Sequence, residues 1–118
     1  MATPEGRVKK AIVEYLSLIP HCEIFPISTI GLYDASTGRL RKSPMRLGTP
    51  DLIICYRGVF IGIEVKSETG RLSDNQKEIG ACVQDAGGIW GVARNIEDVR
   101  ELLNRADLLL APMIDLGK

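Results

Sequence analysis

One histidine, His21, serves a chain of 118 residues, which excludes catalytic designs that draw on several imidazoles. Cysteine is scarce too: Cys22, Cys55 and Cys82 are odd in number, widely spaced and without a C-x-x-C pair. They exclude a disulfide framework and a cysteine zinc site, and read as buried thiols in a reducing compartment. No apolar run approaches a membrane span, and Met1-Ala2-Thr3-Pro4 lacks an apolar signal segment, so a cytoplasmic protein without membrane contact is expected. Aromatic residues are few and the formal net charge is zero, so bulk charge does not advertise a polyanionic partner.

The charge distribution says more. Residues 1–46 hold seven basic and four acidic residues, whereas 47–118 hold eight basic and eleven acidic. Arg39, Arg41, Lys42 and Arg46 crowd one segment, which reads either as a solvated loop or as a phosphate-contacting one.

The length predicts one domain, 1–118, with an α/β alternation of elements. Thr3 can cap a first helix with Pro4 at its start. Val8, Ile12, Tyr15, Leu16 and Ile19 recur at helical spacing, and Pro20 stops the pattern. Residues 22–30 read as a strand in which Pro26 marks an edge or bulge. The Gly-, Ser- and Arg-rich stretch 31–48 reads as a long mobile connection. Two apolar runs, 51–56 and 59–67, flank Arg57-Gly58 as a β-hairpin. A helix is expected after Ser73 and ends at Gly87-Gly88; a strand follows over 89–94. A third helix runs from Ile96 to about Arg105 with Val99, Leu102 and Leu103 inward. Strand–helix–strand at that length implies one parallel pairing in a small mixed sheet flanked by helices.

The densest chemistry sits in the hairpin. Side chains alternate along a strand, so Glu64 and Lys66 project from one face while Ile61, Ile63 and Val65 take the other. Asp51 can join them from the partner strand. Two carboxylates about 4 Å apart repel by roughly 4 kcal/mol at an effective dielectric near 20. A divalent cation relieves that repulsion, and oxygen ligands suit Mg²⁺ or Mn²⁺. Asp51, then Glu64-Val65-Lys66 across a hairpin, resembles the metal-dependent PD-(D/E)xK nuclease superfamily, whose fold is restriction-endonuclease-like.

The resemblance narrows downstream. Gly48-Thr49-Pro50-Asp51, Glu64-Val65-Lys66, Gly70-Arg71-Leu72-Ser73, Gln76 and Gly87-Gly88 stand in an order similar to the virus-type replication-repair nuclease (VRR-NUC) domain. That resemblance implies a Mg²⁺- or Mn²⁺-dependent deoxyribonuclease of the stand-alone phage type, in the bacterial cytoplasm. Four-way junctions would be its substrate and a homodimer its working form. A flap or end nuclease, or a binding module without catalysis, is the alternative. It also implies that Asp51, Glu64 and the Val65 carbonyl hold the metal with help from Glu5. Lys66 and Gln76 would orient the nucleophile.

Bland readings stand beside these. Glu64 and Lys66 could form an ion pair, and Asp51 could be a Pro-Asp turn residue. Glu5 could serve only the helix dipole, and Ser73-x-x-Gln76 is a capping box in its own right. Trp90 reads as core. The apolar Leu108–Ile114 stretch reads as docked, on its own domain or on a second subunit.

Overall fold

The structure, a computed structural model, describes residues 3–27, 32–34, 39–41 and 46–116, with only the course of the chain for 32–34, 39–41 and 113–116. Helix α1 (Pro4–Leu16) begins as the sequence implies: the Thr3 hydroxyl accepts from Gly6 N at 2.9 Å, and Pro4 sits where a missing N–H is harmless. Ile12 and Leu16 are fully buried, with Val8, Tyr15 and Ile19 packed beside them. The helix stops at Leu16, ahead of Pro20.

Four strands form the main sheet in the order β1 (Cys22–Pro26), β4 (Leu52–Tyr56), β5 (Val59–Val65), β6 (Ile89–Ala93). β1–β4 and β4–β5 are antiparallel, and β5–β6 is the single parallel pairing expected of the mixed sheet. Pro26 lies on an edge strand, where its lack of an N–H breaks no ladder bond. The 31–48 stretch departs from its reading as a plain connection. Within it, β2 (Leu32–Asp34) and β3 (Arg39–Arg41) pair antiparallel as a separate two-stranded sheet. Strands of three residues among Gly and Ser leave almost no periodicity to detect.

The register puts Leu52, Ile54, Tyr56, Ile61, Ile63, Val65, Ile89 and Ala93 on one face, all buried. α1 and α3 (Ile96–Leu116) cover that face, α3 through Val99, Leu102, Leu103 and Ala106. α3 extends well past the expected Arg105, because Leu108–Ala111 continue the helix even with Pro112 inside it. Of the apolar tail, Leu108 and Leu109 are exposed and Leu110 is half-buried, while the side chains of 113–116 lie outside the described residues.

α2 (Asp74–Asp85) covers the opposite face, over β5 and β6 only. Close approach there depends on Gly80, where a Cβ would stand 2.5 Å from the Trp90 ring. Trp90 is therefore packed as expected, although its Nε1 is buried without a partner among the described residues. The Phe25, Ile53, Cys55 and Phe60 positions of β1, β4 and β5 share this face but lie outside the helix's cover. That geometry corrects the reading of three buried thiols. Cys55 stands on the uncovered part of the sheet and Cys82 on the flank of α2, and both are exposed.

Candidate active site

The β4–β5 hairpin turns through Arg57 and Gly58, both at positive φ (52° and 84°), the left-handed pair of a tight two-residue turn. That turn fixes the register Leu52↔Ile63, which brings Asp51 beside Glu64 and Val65. Asp51 Oδ2 accepts the Val65 N–H at 2.9 Å, and the Asp51 carbonyl accepts from Ile27 N at 2.9 Å. Asp51 is thus more than a turn residue. It is tied to both strands that flank it.

Glu64 is 1% exposed and is the buried charged residue of the core. Its Oε1 accepts from Gln76 Nε2 at 2.9 Å, while Oε2 is buried with no partner among the described residues. Burial, reinforced by the neighbouring Asp51 carboxylate, pushes the Glu64 carboxyl up to about 9. The charge of Lys66 works the other way, and that of Glu5 adds to the rise. No direct Glu64–Lys66 ion pair is formed among the described residues.

Gln76 completes the capping box and also reaches Glu64. Its N–H donates to Ser73 Oγ (3.2 Å) and its Oε1 accepts from Ser73 N (2.8 Å), completing the capping box. With Oε1 committed to the cap, the amide must present Nε2 to Glu64. One residue therefore starts α2 and aims a donor into the site.

Two residues carry structural roles that the sequence did not assign to them. Gly48, at φ 86°, lies against the first turn of α2, where a Cβ would fall 2.2 Å from the Asn75 carbonyl oxygen. It lets the Thr49-Pro50-Asp51 segment and Gln76 converge. Arg94 clamps the chain after Lys66: its guanidinium donates to the Ser67 and Glu68 carbonyls, while Lys66 N donates to the Ala93 carbonyl at 3.1 Å. The end of β6 thus holds Lys66 from both sides. Its partners are main-chain carbonyls, which leave no mark in a sequence.

The remaining expected residues divide. Lys66 is half-buried at the end of β5. Glu5 lies exposed in the first turn of α1, and its charge reaches Glu64. Among the described residues no three His, Cys, Asp or Glu side chains form a ready-made metal cage. Arg46 is exposed, its carbonyl accepting from Thr49 N and Oγ1 (3.1 and 2.6 Å). Arg39 and Arg41 belong to β3, but their side chains, and Lys42 entirely, lie outside the described residues.

Residues 39–95 match the model of a family described as the VRR-NUC domain. A solved structure named as a VRR_NUC domain is similar at 26% identity with a TM-score of 0.62, over 87% of this chain and 97% of that one. No curated protein matches. The mixed sheet with helices on both faces agrees with the restriction-endonuclease-like fold.

Proposed function

The chain carries a VRR-NUC domain, a nuclease-type hydrolase module, and from that premise we propose that it hydrolyses DNA phosphodiesters with a bound Mg²⁺ or Mn²⁺. The observation that carries the reading is the Asp51–Glu64 pair: a carboxylate at 1% exposure, with an orphaned oxygen and a second acid beside it. Such a pair is costly without a cation, and its hard oxygens suit these two ions. Asp51, Glu64 and the Val65 carbonyl would hold the ion, with Glu5 assisting. The cation supplies Lewis-acid polarisation of the phosphate.

The protein's own groups do the rest. Gln76 Nε2, fixed by the cap, keeps the Glu64 carboxylate oriented and can donate toward the attacking water. Lys66, held by the Ala93–Arg94 strap, keeps an ammonium within reach of the phosphate, either to activate water or to neutralise developing charge. Arg39, Arg41, Lys42 and Arg46 would take the flanking phosphates. The DNA would be branched, a four-way junction first, and the working unit a homodimer that brings two sites to paired strands. Its place of action would be the cytoplasm, where exposed Cys55 and Cys82 stay reduced.

Cleavage of four-way junction, flap and linear duplex DNA, with Mg²⁺ and with chelator, tests this reading. Metal-dependent nicking that favours the junction supports it. Preference for flaps or ends would give the substrate to the alternative nuclease, and binding without cleavage in any metal would leave a binding module.

A further inference from the structure

The same sheet face that carries Glu64 holds a second feature. A cavity of about 320 Å³ opens beside α2, lined by Phe60, Ile79, Cys82, Val83 and Gly88 with Arg46 at its rim. Its size falls at the lower end for small-ligand pockets. Phe60 is 43% exposed, unusual for an aromatic ring in a central strand. The ring is seated by Gly88, where a Cβ would come within 3.1 Å of Phe60 Cδ1 and 3.0 Å of Val83 Cγ1. Apart from the Cys82 thiol the rest of the wall is aliphatic, and Arg46 is the charged residue in the lining.

Position makes this cavity more than a surface dent. Phe60, Gly62 and Glu64 alternate onto one face of β5, so Phe60 stands about 13 Å along the strand from Glu64. The turn that carries Arg46 is also fixed. Its carbonyl takes two bonds from Thr49, and Gly48 packs on the start of α2. A flat apolar group on Phe60, an anion at Arg46 and a phosphodiester at Asp51–Glu64 all fit one strand of nucleic acid.

Resting on the nuclease reading above, we infer that this cavity receives an unpaired nucleobase, stacked on Phe60 with its phosphate at Arg46, on the sheet face that also carries Glu64. Stacking on an aromatic side chain accepts any base, since each has a π-face. The walls offer little to read a base edge, so the subsite selects an unpaired nucleotide and not a sequence. Discrimination of branched from continuous duplex DNA would then begin in this pocket.

The test is binding in chelator, by fluorescence anisotropy, of a duplex with one unpaired thymidine and of the same duplex with an abasic unit there. The wild type is expected to prefer the thymidine by about tenfold or more. Phe60→Ala should abolish the preference, and Phe60→Leu, which keeps the apolar packing, should abolish most of it. Arg46→Ala should weaken both ligands and lower the salt slope by about one. Equal binding of the two ligands by the wild type, or an unchanged preference in Phe60→Leu, overturns the inference. So does conversion of a dimer to a monomer by Phe60→Ala with the preference intact, which would make the face a self-interface. Cleavage of both duplexes in Mg²⁺ separates this from the nuclease reading. Cleavage without base preference removes the pocket alone, and base preference without cleavage removes the nuclease alone.

Discussion

Glu64 is held where water cannot reach it, and that fact has a pH signature. Its carboxyl ordinarily titrates at 4.5 and is pushed up to about 9 by burial and then by Asp51. Below 4.5 both folded and unfolded chains hold the proton, so the residue makes no difference to stability. Between those values the unfolded chain has released the proton while the folded one keeps it. The unfolded state then binds fewer protons, and stability falls as pH rises. In chelator, thermal unfolding is expected to show a protein more stable near pH 5 than near pH 8.5, and Glu64→Gln should flatten that slope. An identical slope in the variant would show that Glu64 is not strained. Asp51, Glu64, Lys66 and Gln76 were legible in the sequence because strand alternation and a capping box dictate where such residues point. Glu5 was legible only as a helix-dipole acid or, by resemblance, a metal helper, because the sequence does not fix exposure at a helix start. In the first turn of α1, beside the Thr3 cap, it lies in solvent.

At the scale of elements, the site depends on how closely a loop meets a helix. Gly48 and Gly58 have nearly the same φ, 86° and 84°, but very different surroundings. A Cβ at Gly58 meets nothing within 4 Å, whereas one at Gly48 meets the Asn75 and Gln76 backbone. Gly58→Ala should therefore cost only the left-handed strain, about 1–2 kcal/mol. Gly48→Ala adds overpacking against backbone that cannot swing away, for a total of at least about 2 kcal/mol, read by chemical denaturation. Its activity should fall further than its stability, because Asp51 and Gln76 separate. Equal losses in the two variants would contradict the role given to Gly48. The hairpin, α2 and the parallel β5–β6 pairing were legible because apolar period and turn residues mark them. The β2–β3 pair and the last turns of α3 were not: the first is too short for a period, and the second carries a proline and apolar residues on its exposed side.

At the scale of the molecule, the exposed Leu108–Leu109 pair on α3 bears on assembly. Leu108 and Leu109 are 66% and 56% exposed on a helix whose earlier turns are core. Adjacent apolar side chains left in water suit a two-fold contact in which each α3 covers the other. Sedimentation equilibrium at micromolar concentration should give a dimer mass, and Leu108→Glu with Leu109→Glu should give a monomer. A monomer mass for the wild type, alone and with junction DNA, would remove the dimer and leave paired nicking without a mechanism. Composition could show that this stretch is apolar, but whether it folds back or stands out depends on the length of α3 against the sheet.

Cleavage of junction DNA by Glu64→Gln bears on the centre of all this. The substitution keeps the side chain's shape and its place beside Gln76 while removing the charge that would hold a cation. With the fold intact by circular dichroism, Mg²⁺-dependent nicking should fall by more than about a hundredfold. DNA binding in chelator should stay near that of the wild type. A folded Glu64→Gln that nicks at close to the wild-type rate would contradict a metal-holding role for Glu64, and with it the catalytic assignment of the Asp51–Glu64 pair.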